Sequence, residues 1–183
     1  MTQLQHSFDA TWTLFLDRDG VLNERTPDDY IKKWEEFSFI AGVPKAMEKL
    51  ANVFGRIIVV TNQAGIGKKL MTEKHLHEIH RMMRKTIDLL DGRIDKIYYA
   101  PETPSPDAPR RKPASTMALE AQKDFPEINF ERSLMIGDSA ADIEFGKKLG
   151  MVTVLIEGKG DDLKDLQPDY TFSSLPDFVA AVV

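Results

Sequence analysis

The chain has 183 residues, enough for one hydrophobic core with at most a small insertion, and it reads as a single domain over residues 1–183. Twenty-nine acidic against 24 dispersed basic residues give a net charge of −5, which argues against nucleic acid as a partner, and the lack of cysteine excludes disulfides and thiolate metal sites. The opening MTQLQHSFDATW lacks the basic-then-apolar order of a secretory signal, and no apolar run nears the roughly 18 residues of a membrane span, so a cytoplasmic location without a membrane partner is expected.

In chain order, the first strand is predicted over 11–16 (TWTLFL), and its end carries Asp17 and Asp19 on either side of Arg18. Val43, Met47, Leu50 and Phe54 share one face of a helix over 43–54, with Pro44 in its first turn. A second strand, 56–60 (RIIVV), runs into TNQAG (61–65). A helix over 72–90 follows, with Thr72 as N-cap and Leu76, Ile79, Met83, Ile87 and Leu90 on one stripe. The third strand, 95–100, leads into the Pro-rich loop 100–113, and Pro126 stops a helix over 115–124. A fourth strand, 133–136, ends in GDSAAD (137–142), which opens a helix over 140–149 ended by Gly150. Strands at 152–156 and 169–172 and a helix from Pro176 complete the chain. Near-continuous apolar strands alternating with helices predict an α/β fold, a doubly wound, Rossmann-like parallel sheet with helices on both faces.

Such sheets bind ligands beyond the carboxyl ends of their strands. Asp17 and Asp19, Thr61 and Asn62, and Asp138 and Asp142 follow three different strands, and Arg110, Arg111 and Lys112 lie in the loop beyond another. Clustered carboxylates need a neutralising cation, and oxygen-only ligands suit Mg2+ with room for a phosphate oxygen. Thr61 offers a hydroxyl, the turn with Gly65 and Gly67 offers N–H groups to anionic oxygens, and Lys112 adds a positive charge. The set suits a transferring phosphoryl group, with one carboxylate placed to attack it. Two residues apart on an extended segment, Asp17 and Asp19 point the same way while Arg18 points elsewhere.

LFLDRDGVLN, VVTNQAG, RRKP and MIGDSAADIEFGKKLG resemble, in order, the four motifs of the haloacid dehalogenase (HAD) superfamily, across nearly the whole chain. The combination DRDG, TNQ, YYxP and RKP is most similar to the branch with heptose-bisphosphate phosphatases and histidinol-phosphate phosphatase domains. The resemblance implies a Mg2+-dependent phosphomonoesterase, a monomer or weak dimer, acting on a small-molecule phosphate ester. A sugar bisphosphate is the first expectation and histidinol phosphate the second. It implies Asp17 as nucleophile and Asp19 as acid and base, with its backbone carbonyl on the metal. Gly20 would permit the tight turn, and Thr61 and Asn62 would meet the phosphate. Lys112 would neutralise charge, Arg111 would touch substrate, and Asp17 and Asp138 would ligate Mg2+. Asp142 would support metal or lysine. Members of the branch with zinc carry a Cys/His-rich loop where this chain has APETPSPDAPRRKP, with Ala100 at a usual cysteine position, so no zinc is expected. Only a small flap fits between Asp19 and Pro44, and no cap domain.

Other readings are weaker. GIGKK (65–69) lacks P-loop spacing, and HEIH is one residue short of HExxH, which leaves His77 and His80 expected on a solvated helix face. Trp12 and Trp34 read as packing residues. A signalling receiver domain would also phosphorylate an aspartate, but it lacks a second acid two residues on. A polynucleotide 3′-phosphatase shares TNQ- and RKP-like motifs and also lacks a cap. The acidic balance and the mixed charge of the flap (Asp28, Asp29, Glu35, Glu36) and loop argue against it.

Overall fold

The computed structural model describes residues 5–26, 29–157, 163 and 165–183; Asp28 of the expected flap charges lies outside them. One parallel sheet holds β1 (Thr13–Leu16), β2 (Arg56–Asn62), β3 (Lys96–Ala100), β4 (Ser133–Gly137), β5 (Val152–Ile156) and β6 (Tyr170–Phe172), in the order β3-β2-β1-β4-β5-β6. The winding runs outward from β1 in both directions, so a crevice opens where β1 and β4 send their connections to opposite sides. Asp17 N donates to Ile136 O at 2.9 Å, carrying the β1–β4 pairing one residue past the strand and fixing Asp17 at the crevice.

Side-chain alternation sorts the core into two layers. Leu14, Leu16, Ile57, Val59 and Ile136 pack on one face against α1 (Val43–Val53), α2 (Glu73–Asp88) and α5 (Leu175–Val182). Phe15, Ile58, Val60 and Met135 pack on the other against α3 (Thr116–Asp124) and α4 (Ala140–Lys148). Each such side chain, buried outright, contributes about 1.5–3 kcal/mol, so strands apolar on both faces are the sequence pattern this architecture needs. Ile31 and Phe37 anchor the flap on Leu76 and Ile79 of α2, beside a single 3-10 turn, Trp34–Glu36. Trp34 stacks on Phe37 at 5.0 Å and Trp12 packs edge-on to Phe8 at 5.0 Å, so both are packing residues.

Two expectations fail on α2. The helix stops at Asp88, and Asp91 turns the chain with φ of 60°, so Leu90 leaves the helical stripe and is 48% exposed. His77 is exposed as expected, but His80 is buried, because it stands four residues after Leu76 and three before Met83 and shares their face. Among the described residues no helix is long and apolar enough to cross a membrane.

Candidate active site

A lysine encloses the first carboxylate. Lys112 Nζ lies 2.8 Å from Asp17 Oδ1 and 2.6 Å from Asp142 Oδ1, and donates to Val60 O at 2.7 Å. All three side chains are buried. Burial pushes the Asp17 carboxyl up to about 6, against the pull of Lys112, with Asp142 and Asp19 adding to the rise. Burial opposes the Lys112 charge, yet Asp142 and Asp17 together hold its pKa above the usual value. The remaining Asp142 oxygen accepts from Ser139 N at 3.1 Å and Ser139 Oγ at 2.5 Å, the return arm of a capping box at the start of α4. Gly137 makes this approach possible, since a Cβ there would lie 2.1 Å from Asp142 Cβ. Asn62 pins the lysine from the backbone side: its Oδ1 accepts from Lys112 N at 2.9 Å and its Nδ2 donates to Lys112 O at 3.2 Å.

The second carboxylate is held by neutral amides and an arginine. Asp19 Oδ1 accepts from Arg18 Nη2 at 2.8 Å and Asn23 Nδ2 at 2.9 Å, and Oδ2 accepts from Gln63 Nε2 at 2.8 Å. Burial raises the Asp19 pKa, but the Arg18 charge and these hydrogen bonds outweigh it and leave the group below its usual value. Arg18, expected to point away from the two acids, instead carries its guanidinium to Asp19 and is only 1% exposed. Its Nη1 donates to His80 Nε2 at 3.3 Å; burial first, and the Arg18 charge second, keep His80 neutral and able to accept. Gln63 Nε2 also donates to Thr61 Oγ1 at 2.8 Å, linking Thr61 to Asp19. Gly20, with φ of 89°, makes the turn that brings Asn23 O to its own N–H. A side chain there is also excluded by space, because a Cβ would lie 1.9 Å from Asp138 Oδ2.

Asp138 follows β4, buried across the crevice from Asp17, and pairs with Arg25 of the flap, whose Nε lies 2.7 Å from its Oδ2. Arg25 Nε also donates to the Asp19 carbonyl at 3.2 Å, so that carbonyl and the Asp138 carboxylate face one point. One carboxylate oxygen each of Asp17, Asp138 and Asp142 lies within 4.8 Å of the others. Asp142 is engaged with lysine and Ser139, so Asp17, Asp138 and the Asp19 carbonyl are the oxygens that fit a hard divalent cation. Asp17 and Asp19 open on a cavity of about 460 Å3, lined also by Asn62, Arg111, Lys68 and the flap residues Tyr30 and Ile31, whereas Asp138 lines a smaller neighbouring cavity of about 240 Å3. The turn after β2 offers fewer donors than expected, because Gly67 N–H is taken by Pro101 O at 3.0 Å. Arg110 pairs with Glu120, and the flap acids Asp29 and Glu36 pair within the flap with Lys32 and Lys33.

The structure thus unites Asp17, Asp19, Thr61, Asn62, Lys112, Asp138 and Asp142, with Arg111 at the cavity wall. Sequence reasoning missed Asn23, Gln63, Arg25 and His80. Gln63 had a signal: it stands two residues after Thr61, on the same side of an extended segment.

Fold and site together place buried carboxylates, a lysine and a threonine hydroxyl, a set suited to a phosphoryl group, at the strand ends of a Rossmann-like sheet. Residues 109–178 match the HAD-hydrolase-like family. A D-glycero-alpha-D-manno-heptose-1,7-bisphosphate 7-phosphatase of Mycobacterium bovis is 32% identical, over 93% of this chain and 91% of that protein. A D-glycero-D-manno-heptose-1,7-bisphosphate 7-phosphatase of Thermosynechococcus vestitus is 30% identical, over 91% and 89%. The D,D-heptose 1,7-bisphosphate phosphatase of B. bronchiseptica, solved with magnesium and phosphate, superposes with a TM-score of 0.81 at 22% identity, over 92% of this chain and 96% of that one. That of Burkholderia thailandensis gives 0.65 at 26%, over 92% and 96%. The chain belongs to the family of HAD-like phosphatases that these relatives represent.

Proposed function

We propose that this single domain is a Mg2+-dependent phosphatase of a heptose bisphosphate, a monomer or weak dimer of the cytoplasm, working through a phosphoryl group on Asp17. The observation that carries the reading is the buried Asp17–Lys112–Asp142 triad beside Asp19, open to a cavity of metabolite size. The substrate follows from the names of the relatives at 30–32% identity over most of the chain. Mg2+ would be held by Asp17, Asp138 and the Asp19 carbonyl and, when bound, would neutralise charge between carboxylate and phosphate. The oxygen-only donor set and the magnesium bound to the B. bronchiseptica enzyme support that choice. The cysteine- and histidine-free loop 100–113 offers none of the usual zinc ligands, so no zinc is included.

Asp17 attacks phosphorus, an Oδ–P bond forms, and the P–O bond to the sugar breaks. Asp19 gives the departing alkoxide its proton; an incoming phosphate dianion favours the protonated acid. Asp19, again a carboxylate, then takes a proton from water as its oxygen attacks phosphorus and the Oδ–P bond breaks. Lys112, fixed by Asp142 and Asn62, keeps charge from building on Asp17. Thr61 holds a phosphoryl oxygen, and Arg111 meets the remainder of the substrate.

A panel of heptose bisphosphate, histidinol phosphate and a 3′-phosphorylated oligonucleotide, each with Mg2+ and with EDTA, tests the reading. The heptose bisphosphate should be hydrolysed fastest, only with Mg2+, and Arg111→Ala should mainly raise its KM. Faster, steeply salt-sensitive release from the oligonucleotide would transfer the assignment to nucleic-acid ends. No release from any of the three would end the enzymatic reading of this site.

A further inference from the structure

Arg25 sits in the flap, far in sequence from the residue it meets. Its Nε lies 2.7 Å from Asp138 Oδ2 and donates to the Asp19 carbonyl at 3.2 Å, while Nη2 donates to Asp138 Oδ1 at 3.1 Å. These are oxygens assigned above to the divalent cation. The seat is confined, since a Cβ on Gly20 would lie 1.9 Å from Asp138 Oδ2 and 2.9 Å from Arg25 Nε. One partner is fixed and the other can leave: the Asp138 side chain is 3% exposed, that of Arg25 36%. Arg25 also lines both the catalytic cavity and a second one of about 240 Å3 beside Glu24 and Ser174, so its guanidinium has space on either side.

A buried carboxylate such as Asp138 is costly without a counter-charge, so a metal-free chain needs a cation of its own at this point. A guanidinium provides one, with a planar fork that spans both carboxylate oxygens and the neighbouring carbonyl. A cation that binds these oxygens directly cannot share them with Arg25. We infer that Arg25 is a placeholder for the divalent cation: it holds Asp138 and the Asp19 carbonyl in the metal-free protein and is displaced when the metal enters. Folding without metal and affinity for metal are then set against each other at one residue. Arg25 tightens the empty site and weakens the filled one.

The inference rests on the reading of Asp138 and the Asp19 carbonyl as metal ligands, and two measurements separate its failure from the failure of that reading. The first is calorimetric titration of the full, EDTA-stripped chain with Mg2+, for wild type, Arg25→Gln and Arg25→Lys. Both variants should bind Mg2+ about tenfold more tightly, because glutamine has no charge and lysine cannot span the fork. The second follows the Arg25 Nε–H resonance of 15N-labelled wild type, assigned by its loss in Arg25→Gln or Arg25→Lys. It should shift and exchange faster with water as Mg2+ saturates. The wild-type resonance stands as a test even if a variant folds poorly.

An Arg25 resonance unmoved at saturation, or unchanged or weaker affinity in both variants, overturns the inference and leaves the metal site intact. A gain in Arg25→Gln alone indicates through-space repulsion and overturns it too. If wild type does not bind Mg2+ at all, the metal reading falls and this inference with it.

Discussion

The groove between α2 and β3 is larger than the catalytic cavity, about 660 against 460 Å3, and it too is lined by cations, among them Arg81, Arg84, Lys85 and Lys96. The difference lies in what water can reach. Arg81 is 60% exposed and pairs with its helix neighbour Glu78, and Lys96 is 46% exposed and pairs with Asp124. In the catalytic cavity Lys112 and Asp142 are 2% and 0% exposed and pair at 2.6 Å out of reach of water. Solvated charges change little on replacement, whereas desolvated ones carry both chemistry and risk. Volume does not mark the site; buried charge does.

The sharpest way to break that contrast is at Asp17. Asp17→Asn should lower kcat by about 10^4-fold or more while circular dichroism shows the fold kept, because an amide cannot serve as the nucleophile. A loss of tenfold or less would place the chemistry elsewhere. Lys112→Met comes next: with the lysine gone, Asp17 and Asp142 remain buried without a counter-charge, and urea unfolding should show a loss of about 3–5 kcal/mol.

A third effect runs the other way. Burial raises the Asp17 pKa to about 6, so the folded chain binds more protons than the unfolded one between the ordinary aspartate value of 3.8 and that point. The contribution of such a group is full below about pH 4 and is lost as pH rises to about 6. Metal-free Asp17→Asn should therefore be more stable than wild type at pH 8, by on the order of 1–3 kcal/mol, and the gap should close near pH 4. A gap independent of pH would show that Asp17 is not desolvated. The smallest effect belongs to the groove: Arg84→Gln and Lys85→Gln should each change stability by less than about 0.5 kcal/mol and leave turnover unaltered.

The strands, the helices and the four acids at the strand ends were legible because each leaves a local mark: an apolar run, a helical stripe, or polar residues where a strand stops. The partners that hold Asp19 and Asp138 in place were harder to read. Arg25 meets Asp138 across 113 residues of sequence, and only the sheet order brings them together. Asn23 is buried by the turn at Gly20, which periodicity does not describe. His80 is hidden because a polar residue interrupts the apolar stripe, although its spacing puts it on the Leu76–Met83 face. The Leu90 error is a boundary error, since the helix ends two residues before its apolar pattern does.

The central claim is that phosphate passes through Asp17. Asp19→Asn should slow the second step and let the phosphorylated chain accumulate. Mixing that variant with heptose bisphosphate and Mg2+, quenching in acid and reducing with borohydride converts an aspartyl phosphate to homoserine, which tandem mass spectrometry can place. The account expects homoserine at position 17 and nowhere else. Reduction at another acid, or none in a variant that still turns over, would contradict it.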